Sequence, residues 1–278
     1  MKSLVKRIAA SAPVWAWIVM AVCVVVLIVG LVISGNRSAP TTAAATTAPA
    51  GTTPASAPTT PATVEFMDSA KANPTEPRTI VLLGDSTGAS PTGWAPALGR
   101  AISTSLQRPV ATAYWNTETT AYGKPVSLGT GPNGPIGFWN GSAAGVDAAY
   151  ARKHLDTMIG KDVTPSIILL DFGLTEDTTK PLAPQIQPLI TDLQKKYPEA
   201  AIAVIKQNPH RDGSDAQQMS GFAAAMDTEG IQVIDVYSAF PTDPAARAQL
   251  MSDDVNPNAA GQELWTKAVL AAFGLTPA

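Results

Sequence analysis

The stretch Thr79-Ile80-Val81-Leu82-Leu83-Gly84-Asp85-Ser86-Thr87-Gly88 is an apolar run that stops at a glycine, an acid and a hydroxyl. Ile, Val and Leu bounded by turn residues read as a buried strand. A strand ending in Gly84-Asp85-Ser86 puts the Ser86 hydroxyl at the carboxyl edge of a sheet, where open α/β folds keep their ligand sites. With Ser90 as N-cap and Pro91 as first helical residue, the next helix would start close to that hydroxyl. Its free backbone N–H groups would suit a developing oxyanion. The plainer reading is a strand–helix turn that takes Gly and Ser for geometry alone.

Outward from this stretch, apolar runs alternate with helical patterns. Strands are expected at Thr79–Leu83, Val110–Trp115, Ser166–Phe172, Ala201–Lys206 and Ile231–Val236. Helices are expected near Trp94–Leu106, Ala143–Ile159, Gln185–Tyr197, Ala216–Glu229, Ala245–Met251 and Ala259–Phe273. Such alternation implies right-handed crossovers and a mainly parallel five-stranded sheet covered on both faces, an α/β domain over residues 64–278. The Gly- and Pro-rich stretch from Ala121 to Gly141 is too long for an ordinary connection and reads as a functional loop over one end of the sheet.

The other end of the chain has a different character. Four of the 19 basic residues (Lys2, Lys6, Arg7, Arg37) and none of the 22 acidic ones precede Val64, which leaves the remainder at a formal charge of −7. That charge disfavours nucleic acid as a partner. Residues 14–33, Val14 to Ile33, are uncharged and nearly all apolar, about the length that crosses a hydrocarbon core of roughly 30 Å. The run is longer than a signal-peptide core, so an uncleaved transmembrane anchor is expected. The basic tail at 1–13 stays cytoplasmic and the C-terminal part goes outside. Cys23 lies inside the span and is the chain's one cysteine, so the exported domain rests on its core without an intrachain disulfide. Residues 34–63, rich in Thr, Ala and Pro, read as a semi-extended linker.

Strand ends in this arrangement bring several polar segments to one rim. They are Gly84-Asp85-Ser86, Asn140 to Gly145, Gly173 to Asp177, and Asn208-Pro209-His210-Arg211-Asp212, with Ser252 to Gly261 before the last helix. A serine nucleophile, a base, an orienting acid and oxyanion donors are the parts of acyl-transfer chemistry. In order and spacing the segments resemble the SGNH, or GDSL, hydrolase superfamily, over most of Thr79–Phe273. The resemblance implies a flavodoxin-like three-layer fold, with Ser86 as nucleophile and Gly145, five residues after Asn140, as an oxyanion donor. Two positions depart from it. Thr175 in Gly173-Leu174-Thr175-Glu176 stands where the family has an oxyanion Asn. In Asp253-Asp254-Val255-Asn256-Pro257, Asn256 stands where it has the catalytic His. An Asn cannot accept the serine proton, and losing the base normally costs orders of magnitude in rate.

The resemblance and the outward topology together imply a membrane-anchored serine esterase or O-acyl transferase. Its substrates would be cell-envelope glycan or lipid esters, and its catalysis weakened or unusual. The alternative is a catalytically inactive domain that binds an envelope glycan or a partner protein. Of the two histidines, His154 reads as a surface residue. His210 is either a substitute base or a solvent-exposed loop residue, with the second favoured. Asp253 would act directly on Ser86 or hydrogen-bond Asn256. Trp94, Trp115 and Trp139 would stack on a sugar or pack in the core. No Cys/His cluster, Walker loop or dinucleotide fingerprint occurs in the sequence, so no metal or other cofactor is expected.

Overall fold

The computed structural model describes residues 60–276. The anchor expected at 14–33 and all but the end of the expected linker lie outside them. Among the described residues no helix is long and apolar enough to cross a membrane.

The expected central strand is β1, Arg78–Gly84. The others are β2 (Val110–Asn116), β3 (Ala121–Tyr122), β4 (Val126–Gly129), β5 (Ile136–Ser142), β6 (Ile167–Asp171), β7 (Ala201–Lys206) and β8 (Gln232–Asp235). The helices are α1 (Ala62–Ala72), α2 (Trp94–Leu106), α3 (Ala148–Lys153), α4 (Leu155–Met158), α5 (Ala183–Lys196), α6 (Ala216–Thr228), α7 (Pro244–Ala248) and α8 (Ala259–Ala272). The sheet order is β3-β2-β5-β1-β6-β7-β8, with β4 also paired to β2. From β2 to β8 every neighbouring pair is parallel. β3 and β4 run antiparallel to β2.

Alternation along β1 explains the three layers. Ile80 and Leu82 face a core with Phe66 of α1, Leu98 and Ile102 of α2, and Trp265 of α8. Val81 and Leu83 face the opposite core, with Ala151 of α3, Met158 of α4, Ile190 of α5 and Phe222 of α6. A strand buried on both faces has to be apolar wherever it is buried, and this one is from Ile80 to Gly84.

Several sequence expectations need correction. The sheet has eight strands, not five. The stretch from Ala121 to Gly141 is not a loop over the sheet end. It folds back along β2 as β3 and β4, then enters the middle of the sheet as β5, between β2 and β1. Gly137 and Gly141 conceal that strand in the sequence, yet Gly141 is needed there. A Cβ would sit 2.9 Å from the Leu82 carbonyl oxygen and 2.9 Å from the Met158 methyl. The helix after β1 starts at Trp94 with Gly93 as N-cap, and Ser90 and Pro91 belong to the preceding turn. There Ser90 Oγ accepts from the Thr92 N–H at 3.3 Å. The helix expected over Ala143–Ile159 begins only at Ala148, after the Gly145 turn, and breaks at His154 into α3 and α4. At the linker's end α1 begins at Ala62, so Thr63 is already buried, its hydroxyl donating to the Ala272 carbonyl.

Candidate active site

The Gly84 turn carries the nucleophile candidate to the sheet edge because it packs against both neighbours at once. A Cβ on Gly84 would lie 2.7 Å from the Asp171 carbonyl oxygen and 2.9 Å from Ser142 Oγ. β1 therefore passes between the ends of β5 and β6 only with glycine there. Beyond it, Asp85 and Thr87 turn inward and are buried, while Ser86 faces the groove.

The Ser86 hydroxyl donates to Asn256 Oδ1 at 3.0 Å. The Asn256 amide donates in turn to Asp253 Oδ2 at 2.9 Å. Asp253 Oδ1 also accepts the backbone N–H of Asn256 at 2.7 Å and of Val255 at 2.9 Å. Those donors, the Asn256 backbone first, hold the Asp253 carboxyl below its usual range, so it is ionised at neutral pH. Ser86, Asn256 and Asp253 thus form a relay in the order of a serine–base–acid triad, with an amide where the base belongs. The amide oxygen orients the hydroxyl and cannot take its proton.

The Asn256 loop is fixed from three sides. Its carbonyl accepts from the Ser252 N–H at 2.8 Å and the Ser252 hydroxyl at 2.9 Å. The Asn208 amide holds the Val255 carbonyl at 3.0 Å, and Trp265 of α8 donates to Asn208 Oδ1 at 2.8 Å. The Arg211 N–H donates to the Asp254 carbonyl at 2.8 Å, tying in the loop after β7.

Gly145 lies in the turn after β5 at φ +74°, in the left-handed region. That turn starts beside the nucleophile, since the Ala143 N–H donates to the Gly84 carbonyl at 3.2 Å. Among the described residues the backbone N–H groups of Ser86 and Gly145 donate to nothing, as oxyanion donors must in the resting site. Asn140 is buried beneath and braces both turns, donating to the Gly88 carbonyl at 2.9 Å and accepting from the Ser142 N–H at 3.0 Å. Thr175 is exposed on the loop after β6, and the structure gives its side chain no hydrogen bond to Ser86. Next to it Glu176 is buried and accepts the Ala148 N–H at 3.0 Å.

His210 is not the partner of Ser86. Its backbone N–H donates to Asp215 Oδ1 at 3.0 Å, and its ring Nδ1 lies 3.5 Å from Ser214 Oγ. Nor does Asp253 touch Ser86 directly; it acts through Asn256. The tryptophans are packing elements. Trp94 stacks on Trp265 at 5.5 Å, and Trp115 and Trp139 each make edge contacts with Tyr122. His154 sits at the break between α3 and α4, its ring 4.3 Å from Tyr150.

No protein-family model matches the sequence, and a search of curated proteins finds no match either. Solved structures do match. A two-domain esterase active on acetylated mannans superposes with a TM-score of 0.54 at 16% identity, over 76% of this chain and 51% of that one. The enzyme LAE5, an α/β hydrolase from the metagenome of Lake Arreo, Spain, gives 0.50 at 15% identity, over 71% and 95%. A member of the lipolytic G-D-S-L family from Veillonella parvula gives 0.48 at 14%, over 71% and 98%. The chain shares the α/β fold of the mannan esterase and of LAE5. It spans about half the length of the mannan esterase it matches. Within this fold, Ser86 lies at the carboxyl edge of the central strand.

Sequence reading missed the layer beneath this site. Asp171, Thr87 and Gln207 interlock with Asp85 behind the Ser86 turn. The one available signal was an acid ending the apolar run Ile167-Ile168-Leu169-Leu170-Asp171. Burial, with Asp85 nearby, raises the Glu176 carboxyl to about 7. The folded value lies above the unfolded value of about 4.3, so this stability is present below about pH 4.3 and lost as pH rises to about 7. Glu176→Gln is therefore expected to show a smaller fall in urea midpoint over that range than the native chain. An unchanged fall would show that Glu176 does not titrate in this window.

Proposed function

We propose that the protein is a membrane-anchored, extracytoplasmic serine ester hydrolase or O-acyl transferase with slow turnover, acting on esters of the cell envelope. The observation that carries this reading is the Ser86 hydroxyl held at 3.0 Å by Asn256, itself held by Asp253. In the reaction Ser86 Oγ attacks the ester carbonyl and the Ser86 and Gly145 N–H groups receive the oxyanion. The hydroxyl proton passes to water in the groove, because Asn256 cannot keep it. The C–O bond to the alcohol breaks, its oxygen takes a proton back from that water as it leaves, and water or a second alcohol then takes the acyl group from Ser86 and returns a proton to it. The anchor rests on the apolar run at 14–33 and the basic residues before it.

Of the two ester classes, the groove favours glycan over lipid. It is a cleft of 780 Å³ that runs from Ser86 and Asn256 between α2 and α8. Ser90, Thr92, Gln262, Glu263, Thr266 and Lys267 line it, with no Leu, Ile, Val, Phe or Trp. Burying one methylene of an acyl chain in an apolar wall is worth about 0.8 kcal/mol, and this wall, mixed polar and apolar and without a large apolar side chain, gives a long chain no continuous bed. Polyhydroxylated alcohols suit it.

The full chain in detergent is expected to be labelled at Ser86 by a fluorophosphonate and to cleave acetylated oligosaccharides in preference to long-chain acyl esters. Ser86→Ala should abolish both. Absence of labelling at any pH would defeat the catalytic reading. A second reading is favoured by the amide at the base position: a non-catalytic domain that holds an envelope glycan or partner protein in the same groove. It predicts saturable oligosaccharide binding that survives Ser86→Ala, with no turnover.

A further inference from the structure

We propose that Asp171 is a positioning residue that keeps one proton in the protein interior and uses it to hold the turn carrying Ser86. Asp171 ends β6 and Gln207 follows β7, and both reach under the Gly84–Gly88 turn from neighbouring strands. Asp85, Thr87, Asp171 and Gln207 are each at most 2% exposed.

The hydrogens can be counted. Asp85 Oδ1 accepts the Thr87 N–H at 3.1 Å and lies 3.1 Å from the Thr87 hydroxyl. Asp85 Oδ2 accepts the Leu174 N–H at 3.2 Å and Gln207 Nε2 at 2.9 Å. Three N–H donors around its two oxygens, against one at Asp171, make Asp85 the carboxylate of the pair. Asp171 is served differently. Its Oδ1 accepts Gln207 Nε2 at 2.7 Å, and its Oδ2 meets only the Thr87 hydroxyl, at 2.6 Å. Thr87 has one hydroxyl hydrogen and two carboxyl oxygens within reach. If that hydrogen goes to Asp85, the 2.6 Å contact needs a hydrogen on Asp171. The relay is then Asp171 Oδ2–H to Thr87 Oγ1–H to Asp85 Oδ1, and each contact has one hydrogen.

Charge gives the same assignment. Among the described residues no lysine, arginine or histidine pairs with either aspartate. Asp85 faces Asp171 from the end of β1, Glu176 from the loop after β6, and Gln207 from the end of β7. Asp147, at the start of α3, adds its charge near Glu176. The Ser142 hydroxyl at the end of β5 is neutral, buried and without a partner. Two carboxylates at this depth would repel, with hydrogen bonds but no cation to offset the charge. Burial, then the charge of Asp85, pushes the Asp171 carboxyl well above its usual range. The consequence for the site is mechanical. The residues on both sides of Ser86 are clamped to β6 and β7, and the Ser86 side chain alone points outward from residues 85–87.

Asp171→Asn supplies the hydrogen toward Thr87 with one amide N–H, keeps an oxygen toward Gln207, adds one further N–H, and does not titrate. The native Asp171 has a folded pKa above its unfolded value of about 3.9, so its stabilisation is lost as pH rises through the folded value. Asp171→Asn is therefore expected to have a higher urea midpoint than the native chain at about pH 8, and a smaller fall from about pH 4 to about pH 8. Glu176 is present in both proteins, so the difference between the two curves reports Asp171 together with its coupling to Glu176. Asp85→Asn, which loses an acceptor, should be destabilised at every pH. Infrared spectra of full chain carrying ¹³C-carboxyl aspartate should show a protonated-acid carbonyl stretch at neutral pH that Asp171→Asn removes. An Asp171→Asn chain that is less stable than native at about pH 8, or does not fold, would overturn the proposal, as would a native spectrum without the acid band. None of these readouts depends on ester turnover, so failure here leaves the catalytic reading standing, and the reverse.

Discussion

Replacing Asn256 by His is expected to raise ester hydrolysis by about 10²–10⁴-fold, the usual contribution of a positioned general base. The hydroxyl and the acid on either side of residue 256 are already in place. Asp253 is ionised and receives the Asn256 amide at 2.9 Å, so it can receive an imidazole N–H and fix its tautomer. Ser86 Oγ already points at residue 256, at 3.0 Å. The imidazole is longer than the carboxamide, and the open groove beside Asn256 gives it room. Activity of the variant should rise with pH through about 6.5, the value of an unperturbed imidazole. The native chain should show no such inflection. Asp253→Ala introduced alongside Asn256→His should remove most of the gain, because members of one catalytic unit are strongly non-additive. A folded Asn256→His protein with native turnover would show that the proton leaves Ser86 by another route. His210→Ala then tests the nearest histidine-bearing loop, and an unchanged rate is expected.

How far the sequence revealed this site follows from which contacts are local. The Ser86 turn and the Asp253–Asn256 turn are short segments whose residue types announce their roles, and the structure joins them in a hydrogen bond across 170 residues. The strands rich in Ile, Val and Leu were legible for the same reason: a strand buried on both faces must be apolar throughout. β5 escaped because its packing demands the opposite composition. Gly141 lies where β1 and Met158 come too close for a side chain, and glycine, here and at Gly137, reads in a sequence as a loop. The buried Asp171–Thr87–Asp85–Gln207 cluster escaped because each member is an ordinary polar residue at a strand end. Only the register that sets Gly84 beside Asp171 brings them together. The same limit applied to His210: a position after β7 placed it on a rim loop, and only the structure showed Asn256 occupying the serine hydroxyl.

Trp265→Ala is expected to cost about 3–5 kcal/mol, the range for emptying a large aromatic site in a core. Trp265 is fully buried on α8, stacked 5.5 Å from Trp94 with the rings 17° apart. Its removal opens a void between α8 and α2, the two helices that wall the groove. The indole N–H also donates to Asn208 Oδ1 at 2.8 Å, and Asn208 holds the Val255 carbonyl at 3.0 Å. Alanine would leave that buried oxygen without a donor, which adds about 1–3 kcal/mol of unmet desolvation. Against a typical total stability of about 5–15 kcal/mol the sum is a large fraction. Trp265→Phe separates the two effects. It keeps most of the packing and loses the hydrogen bond, so it should be milder in urea. Amide exchange should nonetheless speed up at Val255 and Asn256, because the clamp on their loop is gone. In an Asn256→His background, Trp265→Phe should lower kcat more than it raises KM, since it loosens the base rather than the groove. A Trp265→Ala chain within about 1 kcal/mol of native in a urea titration would show that the indole carries little of the core, and with it that the Asn256 loop is held by Ser252 and Arg211 alone.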